Sequence, residues 1–270
     1  MAEKGSKKAL VVGFGVAFVC SVLVSTAAVV LQPLQEKNRL FEKKRNIIVV
    51  SGLMDQVEEA GNEEIDDTYS RSVEPVILNL QTGEQIDQQT APSFLKNENY
   101  RYSDLLNRPD YVNRIPDAED IAGIAKIPTH IQIYYILSGG QQERIILPIV
   151  GKGVWSTMYG FLALDLDGRT VKGITFYEHG ETPGLGGEIQ NPRWQAGWKG
   201  KQVYNDQWEP VLQVLKGKIT PTMENTQYKV DGLSGATLTG NGVTNTVRFW
   251  LGKHGYQTFL KNLSEEQTDE

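Results

Sequence analysis

The stretch that decides the fold is Ile131-Gln-Ile-Tyr-Tyr-Ile-Leu-Ser-Gly-Gly-Gln-Gln-Glu-Arg-Ile-Ile-Leu-Pro-Ile-Val150. Its two apolar runs, rich in β-branched and aromatic residues, flank Gly139-Gly140, which is the pattern of two strands joined by a tight turn. The arrangement is repeated by residues 159–165 and 171–177 around Asp167-Gly168. The sequence therefore predicts two successive β-hairpins in the second half of the chain.

The remaining segments indicate where helices accompany these strands. Residues 191–200 and 240–261 have a helix-like composition, whereas residues 55–120 are polar and acidic and predict irregular loops and short strands. Because helices do not alternate with every strand, the pattern favours an α+β fold over a doubly wound parallel sheet. We expect antiparallel or mixed sheets with flanking helices.

An apolar segment near the N-terminus predicts a membrane anchor. Ala9 to Leu31 are 23 positions without a charge, and at ~1.5 Å per residue a helix of this length exceeds the ~30 Å hydrocarbon core. Pro33 follows, and residues 35–53 predict a juxtamembrane helix. We therefore divide the chain into an N-terminus with a transmembrane anchor, residues 1–34, and a soluble domain, residues 35–270.

Two properties of the anchor stay open at this level. Small residues at Ser25-Thr26-Ala27-Ala28 also suit the cleavage point of a signal peptide, although the apolar run continues beyond them. Lysine and arginine residues lie on both sides of the segment, so the positive-inside rule favours neither orientation.

Composition and missing motifs exclude several classes of function. The net charge is −6 at pH 7, which offers no basic face to a nucleic acid. Cys20 is the single cysteine, and the three histidines form no compact ligand pair, so we predict no metal site. The chain has no Gly-x-Gly-x-x-Gly after a strand, no Gly-x4-Gly-Lys-Ser/Thr and no Gly-x-Ser-x-Gly. No residue is predicted to be catalytic.

One motif remains, Asp231-Gly-Leu-Ser-Gly-Ala-Thr-Leu-Thr-Gly240. It is rich in hydroxyl groups and glycine and precedes a predicted helix, whose N-terminal N–H groups and dipole can hold a phosphate. Gly235 and Ala236 would let the backbone approach closely, and Ser234, Thr237 and Thr239 would add hydroxyl groups. An ordinary capped helix after a glycine turn fits the same residues.

The sequence also resembles a known family. Asp-x-x-Ser-Gly-Ala-Thr is the signature of FMN-binding domains in which a flavin transferase esterifies the threonine with the FMN phosphate, and residues 231–237 match it. A second segment typical of these domains is Glu181-Thr-Pro-Gly-Leu-Gly186. A third, Gly153-Val-Trp-Ser-Thr-Met-Tyr-Gly160, is similar to the C subunit of sodium-translocating NADH:quinone reductases. The resemblance covers essentially the whole chain and implies an α+β FMN-binding domain.

The resemblance implies a set of site residues. It makes Thr237, rather than Thr239, the covalent acceptor of FMN, and we expect the 181–186 loop to lie against the isoalloxazine ring. Trp155 would stack on the ring, or alternatively lie in the core, and Lys216 and Lys218 would face the phosphate or only solvent. The predicted cofactor-binding residues are Thr237, Ser234, Gly235, Ala236, Trp155, Glu181, Thr182, Gly184 and Leu185.

The resemblance further implies an electron-relay protein of a bacterial inner-membrane complex that passes electrons from NADH to ubiquinone and pumps sodium. The A, B, D, E and F subunits would be its partners, a flavin transferase its maturation enzyme, and the soluble domain would be periplasmic. The G subunit of the related Rnf complex is one alternative. A membrane-tethered scaffold without a cofactor is another, in which the Thr237 segment is only a helix start.

Overall fold

A computed structural model describes residues 2–54, 60–87, 89–96 and 99–266, without the side chains of residues 2–7 and 9. The helices are α1 (Ala2–Ser51), α2 (Asn62–Ser72), α3 (Tyr102–Leu106), α4 (Pro192–Ala196), α5 (Thr237–Trp250) and α6 (Gln257–Glu266). The strands are β1 (Val73–Asn79), β2 (Gln85–Ile86), β3 (Val112–Arg114), β4 (Lys126–Pro128), β5 (His130–Ser138), β6 (Gln141–Lys152), β7 (Thr157–Asp165), β8 (Val171–Glu178), β9 (Gln213–Val214) and β10 (Lys229–Val230). Short 3-10 turns occupy Ser93–Leu95, Pro109–Tyr111, Gly186–Gln190 and Thr226–Tyr228.

A six-stranded sheet of order β2-β1-β5-β6-β7-β8 forms the centre of the domain, and every neighbouring pair in it is antiparallel. The hairpins β5–β6 and β7–β8 confirm the two predicted from sequence. Gly139 and Gly140 both have positive φ, at 61° and 85°, as a two-residue turn between twisted strands requires. Two small sheets, antiparallel β3–β4 and parallel β9–β10, complete the mixed α+β fold.

Residues 55–120 are more regular than we predicted, since α2 and the seven-residue strand β1 lie among them. Residues 55–59, 88, 97 and 98 of this stretch fall outside the described part. Pro75 makes β1 hard to recognise, because proline cannot donate to a ladder and argues against a central strand. Pro75 is tolerated in β1 because β2 pairs only with Ile77 and Leu78, beyond the proline.

The predicted helices also differ in extent. The juxtamembrane helix is continuous with the anchor in α1, and Pro33 lies inside that helix rather than between two helices. The helix predicted at 191–200 is only the short α4. The one predicted at 240–261 begins earlier, at Thr237, and is interrupted between α5 and α6, where a side chain on Gly255 would lie 2.1 Å from the Trp250 carbonyl oxygen.

The chain divides into two compact units, residues 1–41 and 42–270. In the first, α1 is long and apolar enough to cross a membrane, and its apolar side chains are exposed. In the second, the last turns of α1 bury Ile47, Ile48 and Val50. A side chain on Gly173 of β8 would lie 2.5 Å from the Val50 carbonyl oxygen, and the Thr175 hydroxyl donates to Asn46 Oδ1 at 3.4 Å.

Helix α5 packs against β6, and this contact positions the functional site. A side chain on Gly151 would lie 1.9 Å from the Thr246 hydroxyl, and one on Gly242 would lie 2.6 Å from the Lys152 carbonyl oxygen. The Trp250 indole N–H donates to the Val150 carbonyl at 2.7 Å. Small residues thus let the helix and the strand approach closely, which places the start of α5 beside the β6–β7 turn.

Candidate functional site

The Asp231–Ala236 segment turns the chain into α5. Gly235 has a φ of +70°, a conformation that glycine adopts without strain, and its missing side chain leaves room for the Leu185 methyl group. Ala236 is the N-cap of α5, and no side chain caps the helix there. The first N–H groups of the helix have no intrahelical partner and no side-chain cap. They can therefore donate hydrogen bonds to an anionic oxygen.

The two threonines of the motif have different surroundings. Thr237, the first residue of α5, is half-buried and lines a cavity, whereas Thr239 is only 2% exposed. The Thr239 hydroxyl donates to Glu181 Oε2 at 2.6 Å. Residues two apart on a helix lie on nearly opposite faces, so one hydroxyl is accessible and the other is engaged in the interior.

Glu181 joins three segments of the chain. Its carboxylate, 4% exposed, accepts the Thr239 hydroxyl on Oε2, and Oε1 accepts the backbone N–H groups of Val154 and Trp155 at 3.0 Å each. Val154 and Trp155 belong to the turn that joins β6 and β7, closed by the Gly153 N–H to Ser156 carbonyl bond. The carboxylate thus lies between the 181–187 loop, this turn and the first turn of α5.

A cavity of about 330 Å³ opens among these segments. Its lining residues are Val154, Trp155, Glu181, Thr182, Leu185, Gly186, Gly235, Ala236, Thr237, Leu238 and Thr239. Trp155 and Leu238 are exposed by 72% and 68%, so the apolar mouth of the cavity is largely uncovered. An apolar mouth beside a helix N-terminus and a free hydroxyl fits a flavin ring with a phosphate tail, which is the group that the family resemblance implies.

The structure brings together seven of the nine predicted cofactor-binding residues. They line the cavity, and they are Thr237, Gly235, Ala236, Trp155, Glu181, Thr182 and Leu185. Ser234 and Gly184 do not line it, although each is a neighbour of a residue that does. Lys216 and Lys218 also lie outside the lining. Trp155 is a surface residue, so the alternative that it is a core aromatic is wrong.

Two glycines of the 181–187 loop have different surroundings. Gly184 has a φ of +75° with open space around it, so it serves the turn. A side chain on Gly186 would lie 2.5 Å from the Thr239 hydroxyl and 2.8 Å from Glu181 Oε2. The absence of a side chain on Gly186 therefore leaves room for the hydrogen bond between Thr239 and Glu181.

Asp231 organises the loop that precedes α5. Its carboxylate accepts the Ile219 N–H at 2.7 Å, and its carbonyl accepts the Trp194 indole N–H at 2.8 Å. The next residue, Gly232, donates to the Gly217 carbonyl at 2.7 Å, and a side chain on it would lie 2.3 Å from the Leu215 carbonyl oxygen. The first two residues of the motif thus fix the approach of the chain to the helix.

Four residues of the cavity lining are absent from the predicted cofactor-binding set, namely Val154, Gly186, Leu238 and Thr239, although Thr239 is among the residues expected to add a hydroxyl group. Val154 and Leu238 line the cavity, and Thr239 holds the start of α5 to Glu181. The available signal was the helical period, which places Thr239 on the face opposite Thr237 once Thr237 is taken as the first helical residue. The partner of Thr239 could not be found in this way because it lies 58 positions earlier.

Comparison with known proteins agrees with this geometry. The FMN-binding domain family matches residues 153–252, which include the β6–β7 turn, the 181–187 loop and α5. The C subunit of the Na(+)-translocating NADH-quinone reductase of Yersinia pestis is 44% identical over 96% of this chain and 93% of its own length. Its counterpart from Pseudomonas aeruginosa is 40% identical over 97% of each. The crystal structure of Shewanella oneidensis NqrC superimposes with a TM-score of 0.74 at 30% identity, covering 85% of this chain and 99% of that one.

Proposed function

The chain belongs to the family of C subunits of the Na(+)-translocating NADH-quinone reductases, and we propose that it carries FMN as a phosphoester on Thr237. Its role as an FMN-binding electron-relay component of that oxidoreductase follows from the family. Similarity over 93% of the Yersinia pestis protein favours this function over that of the Rnf G subunit and over a scaffold. The observation that carries the ester is the half-buried Thr237 hydroxyl at the cavity, beside a Thr239 hydroxyl already bonded to Glu181.

The ester requires an activated flavin nucleotide and a separate flavin transferase. A bond forms between Thr237 Oγ1 and the phosphorus of the FMN unit, while the bond from that phosphorus to its leaving group breaks. The hydroxyl proton departs with the leaving group, and no electrons are transferred. Ser234, Gly235 and Leu238 are exposed around Thr237, so the acceptor lies where another enzyme can reach it.

When bound, FMN supplies reversible electron transfer, and the protein supplies attachment and orientation. The N–H groups of the first turn of α5, which no side chain caps, would hold the phosphate, and the helix dipole would favour its negative charge. Trp155, Leu185 and Leu238 offer apolar contacts to the ring, and a stacked aromatic contact is worth ~0.5–1.5 kcal/mol beyond the area it buries. Among the residues described, none is required as a proton donor or acceptor for this relay.

The proposal predicts a flavin that survives denaturation. We expect the chain, made together with a flavin transferase and dissolved in SDS, to fluoresce under ultraviolet light at its own position in a gel, because an ester is not broken by unfolding. The chain made without the transferase is the matched control and should be dark. A dark band from cells in which the transferase demonstrably modifies a known acceptor protein would contradict covalent attachment.

We also propose that residues 1–34 form a cytoplasmic N-terminus with an inner-membrane anchor, and that residues 35–270 form a periplasmic FMN-binding domain. The A, B, D, E and F subunits are its proposed partners, with ubiquinone as the final acceptor of the complex. An apolar span and membership of a membrane complex support the anchor. The orientation rests on the family resemblance alone, since the charges flanking the span favour neither side.

A cysteine introduced at an exposed position tests the orientation. In a Cys20→Ser background, Gly217→Cys should react with a membrane-impermeant maleimide on intact cells with a permeable outer membrane, because Gly217 is exposed and has open space around it. Lys8→Cys, on the other side of the span, should react only after lysis. The reverse labelling pattern would place the domain in the cytoplasm.

A further inference from the structure

We infer that Glu181 is a positioning residue for the flavin. Its carboxylate holds two walls of the cavity, the 153–156 turn and the first turn of α5, at a fixed distance from each other. The inference rests on the proposed function. Glu181 lines the cavity, but both of its carboxylate oxygens accept hydrogen bonds from the protein itself. It therefore acts through the groups that it holds rather than by touching reacting atoms.

The first support is the convergence of donors on one carboxylate. The two backbone N–H groups come from 26 and 27 positions away and the Thr239 hydroxyl from 58 positions away. Buried charge is expensive unless it is hydrogen-bonded, and bonds to an ionised acceptor are stronger than neutral ones. A carboxylate that is 4% exposed and accepts three such bonds is a strong link between otherwise separate segments.

The second support is the space that two glycines leave for this carboxylate. A side chain on Gly153 would lie 2.4 Å from Glu181 Oε1, and one on Gly186 would lie 2.8 Å from Oε2. Such distances are far below van der Waals contact, so neither position accepts a larger residue without displacing the carboxylate. Gly153 and Gly186, which lie on two different segments, are thus shaped around Glu181.

The third support is that each hydrogen bond to Glu181 fixes the position of a residue or turn at the cavity. Trp155 donates its backbone N–H to Glu181 and turns its indole, 72% exposed, to the mouth of the cavity. Thr239 lies two residues beyond Thr237, so its bond sets the depth and rotation of the first turn of α5. Because Ala236 provides no side-chain cap, this turn lacks the usual means of fixing a helix start.

Three substitutions separate the parts of this arrangement. Glu181→Ala removes all three bonds, and Thr239→Val removes only the link to α5. Glu181→Gln keeps the geometry, since its amide oxygen can accept both N–H groups and its NH2 group can donate to the Thr239 hydroxyl. Glu188→Gln is the matched control, because Glu188 bonds Asn191 and does not line the cavity.

The test compares backbone amide exchange with the order of the flavin. In full-length protein in detergent, made without the transferase, we expect Glu181→Ala to speed exchange of the Val154 and Trp155 amides by about tenfold or more. In Glu181→Gln and Glu188→Gln, the exchange rates of these two amides should stay within about threefold of the wild-type rates. Thr239→Val should speed exchange of the Gly240 amide, which donates to the Ala236 carbonyl in the first turn of α5, while the Val154 and Trp155 amides stay protected.

In flavin-loaded protein, we expect the visible circular dichroism and the fluorescence anisotropy of the flavin to fall in Glu181→Ala and Thr239→Val and to be retained in Glu181→Gln. If Glu181→Ala does not fold, a comparison of amide exchange and flavin signals between Thr239→Val and Glu181→Gln still tests the inference. Wild-type exchange and wild-type flavin signals in Thr239→Val would overturn it. Amide exchange is measured without flavin. A wild-type chain that fails to carry FMN would therefore reject the proposed function, while the exchange measurement would still test the positioning role of Glu181.

Discussion

Thr237→Val is expected to abolish the flavin fluorescence of the denatured chain, whereas Thr239→Val should retain most of it. Valine has nearly the shape of threonine and lacks only the hydroxyl, so the first variant removes the oxygen that would bond to phosphorus. The hydroxyl of Thr239 belongs to a residue that is 2% exposed and donates to Glu181, which keeps it away from a transferase. The measurement is in-gel fluorescence at equal loading, followed by mass analysis of the peptide that contains residues 231–240.

Thr239→Ser refines this comparison. Thr239→Val leaves one oxygen of a buried carboxylate without its donor, which costs about 1–3 kcal/mol of stability and can lower the yield of folded acceptor. Thr239→Ser keeps the hydroxyl and should match the wild type in both stability and fluorescence. The added mass should be that of FMN minus water, located on Thr237. Fluorescence that survives in Thr237→Val, or a mass located on Thr239, would reject Thr237 as the acceptor.

Removal of residues 1–51 is expected to unfold the soluble domain, although removal of residues 1–41 should leave it folded and free of the membrane. Ile47 and Ile48 are fully buried and Val50 is 4% exposed, so the last turns of α1 belong to the core of the domain. Burial of each such side chain is worth ~1.5–3 kcal/mol, or roughly 5–9 kcal/mol together. A domain of this kind has a total stability of only ~5–15 kcal/mol.

Urea unfolding of the two shortened chains measures this difference. The chain that begins at residue 42 should unfold cooperatively, and the chain that begins at residue 52 should show little or no folded baseline. Ile48→Ala and Val49→Ala in the longer of the two form a matched pair on the same helix. The first should cost about 2–5 kcal/mol by leaving a cavity, and the second about 0.5 kcal/mol or less, because Val49 is 42% exposed. Equal stability of the two shortened chains would contradict the packing described.

The elements that could be predicted from sequence are those set by neighbouring residues. The hairpins β5–β6 and β7–β8 follow from alternating apolar runs and turn glycines, and the anchor follows from an uncharged run. Strand β1 escaped prediction because Pro75 is acceptable only where β2 does not pair with it, and that depends on the register of a distant strand. The helix at 191–200 was predicted too long because helix-like composition does not show where tertiary contacts end it.

By itself, the sequence determined the α+β class, the candidate membrane span, the family and the motif that contains Thr237 and Thr239. Patterns along the chain carry these properties, since each motif, strand or apolar run is set by residues close together in the sequence. The tertiary structure alone decided that Thr239 is engaged and Thr237 is accessible, that Trp155 is at the surface, and that Glu181 binds the protein itself. Those facts depend on contacts between residues 26 to 58 positions apart in the sequence, which the pairing of β7 with β8 and the packing of α5 on β6 bring together.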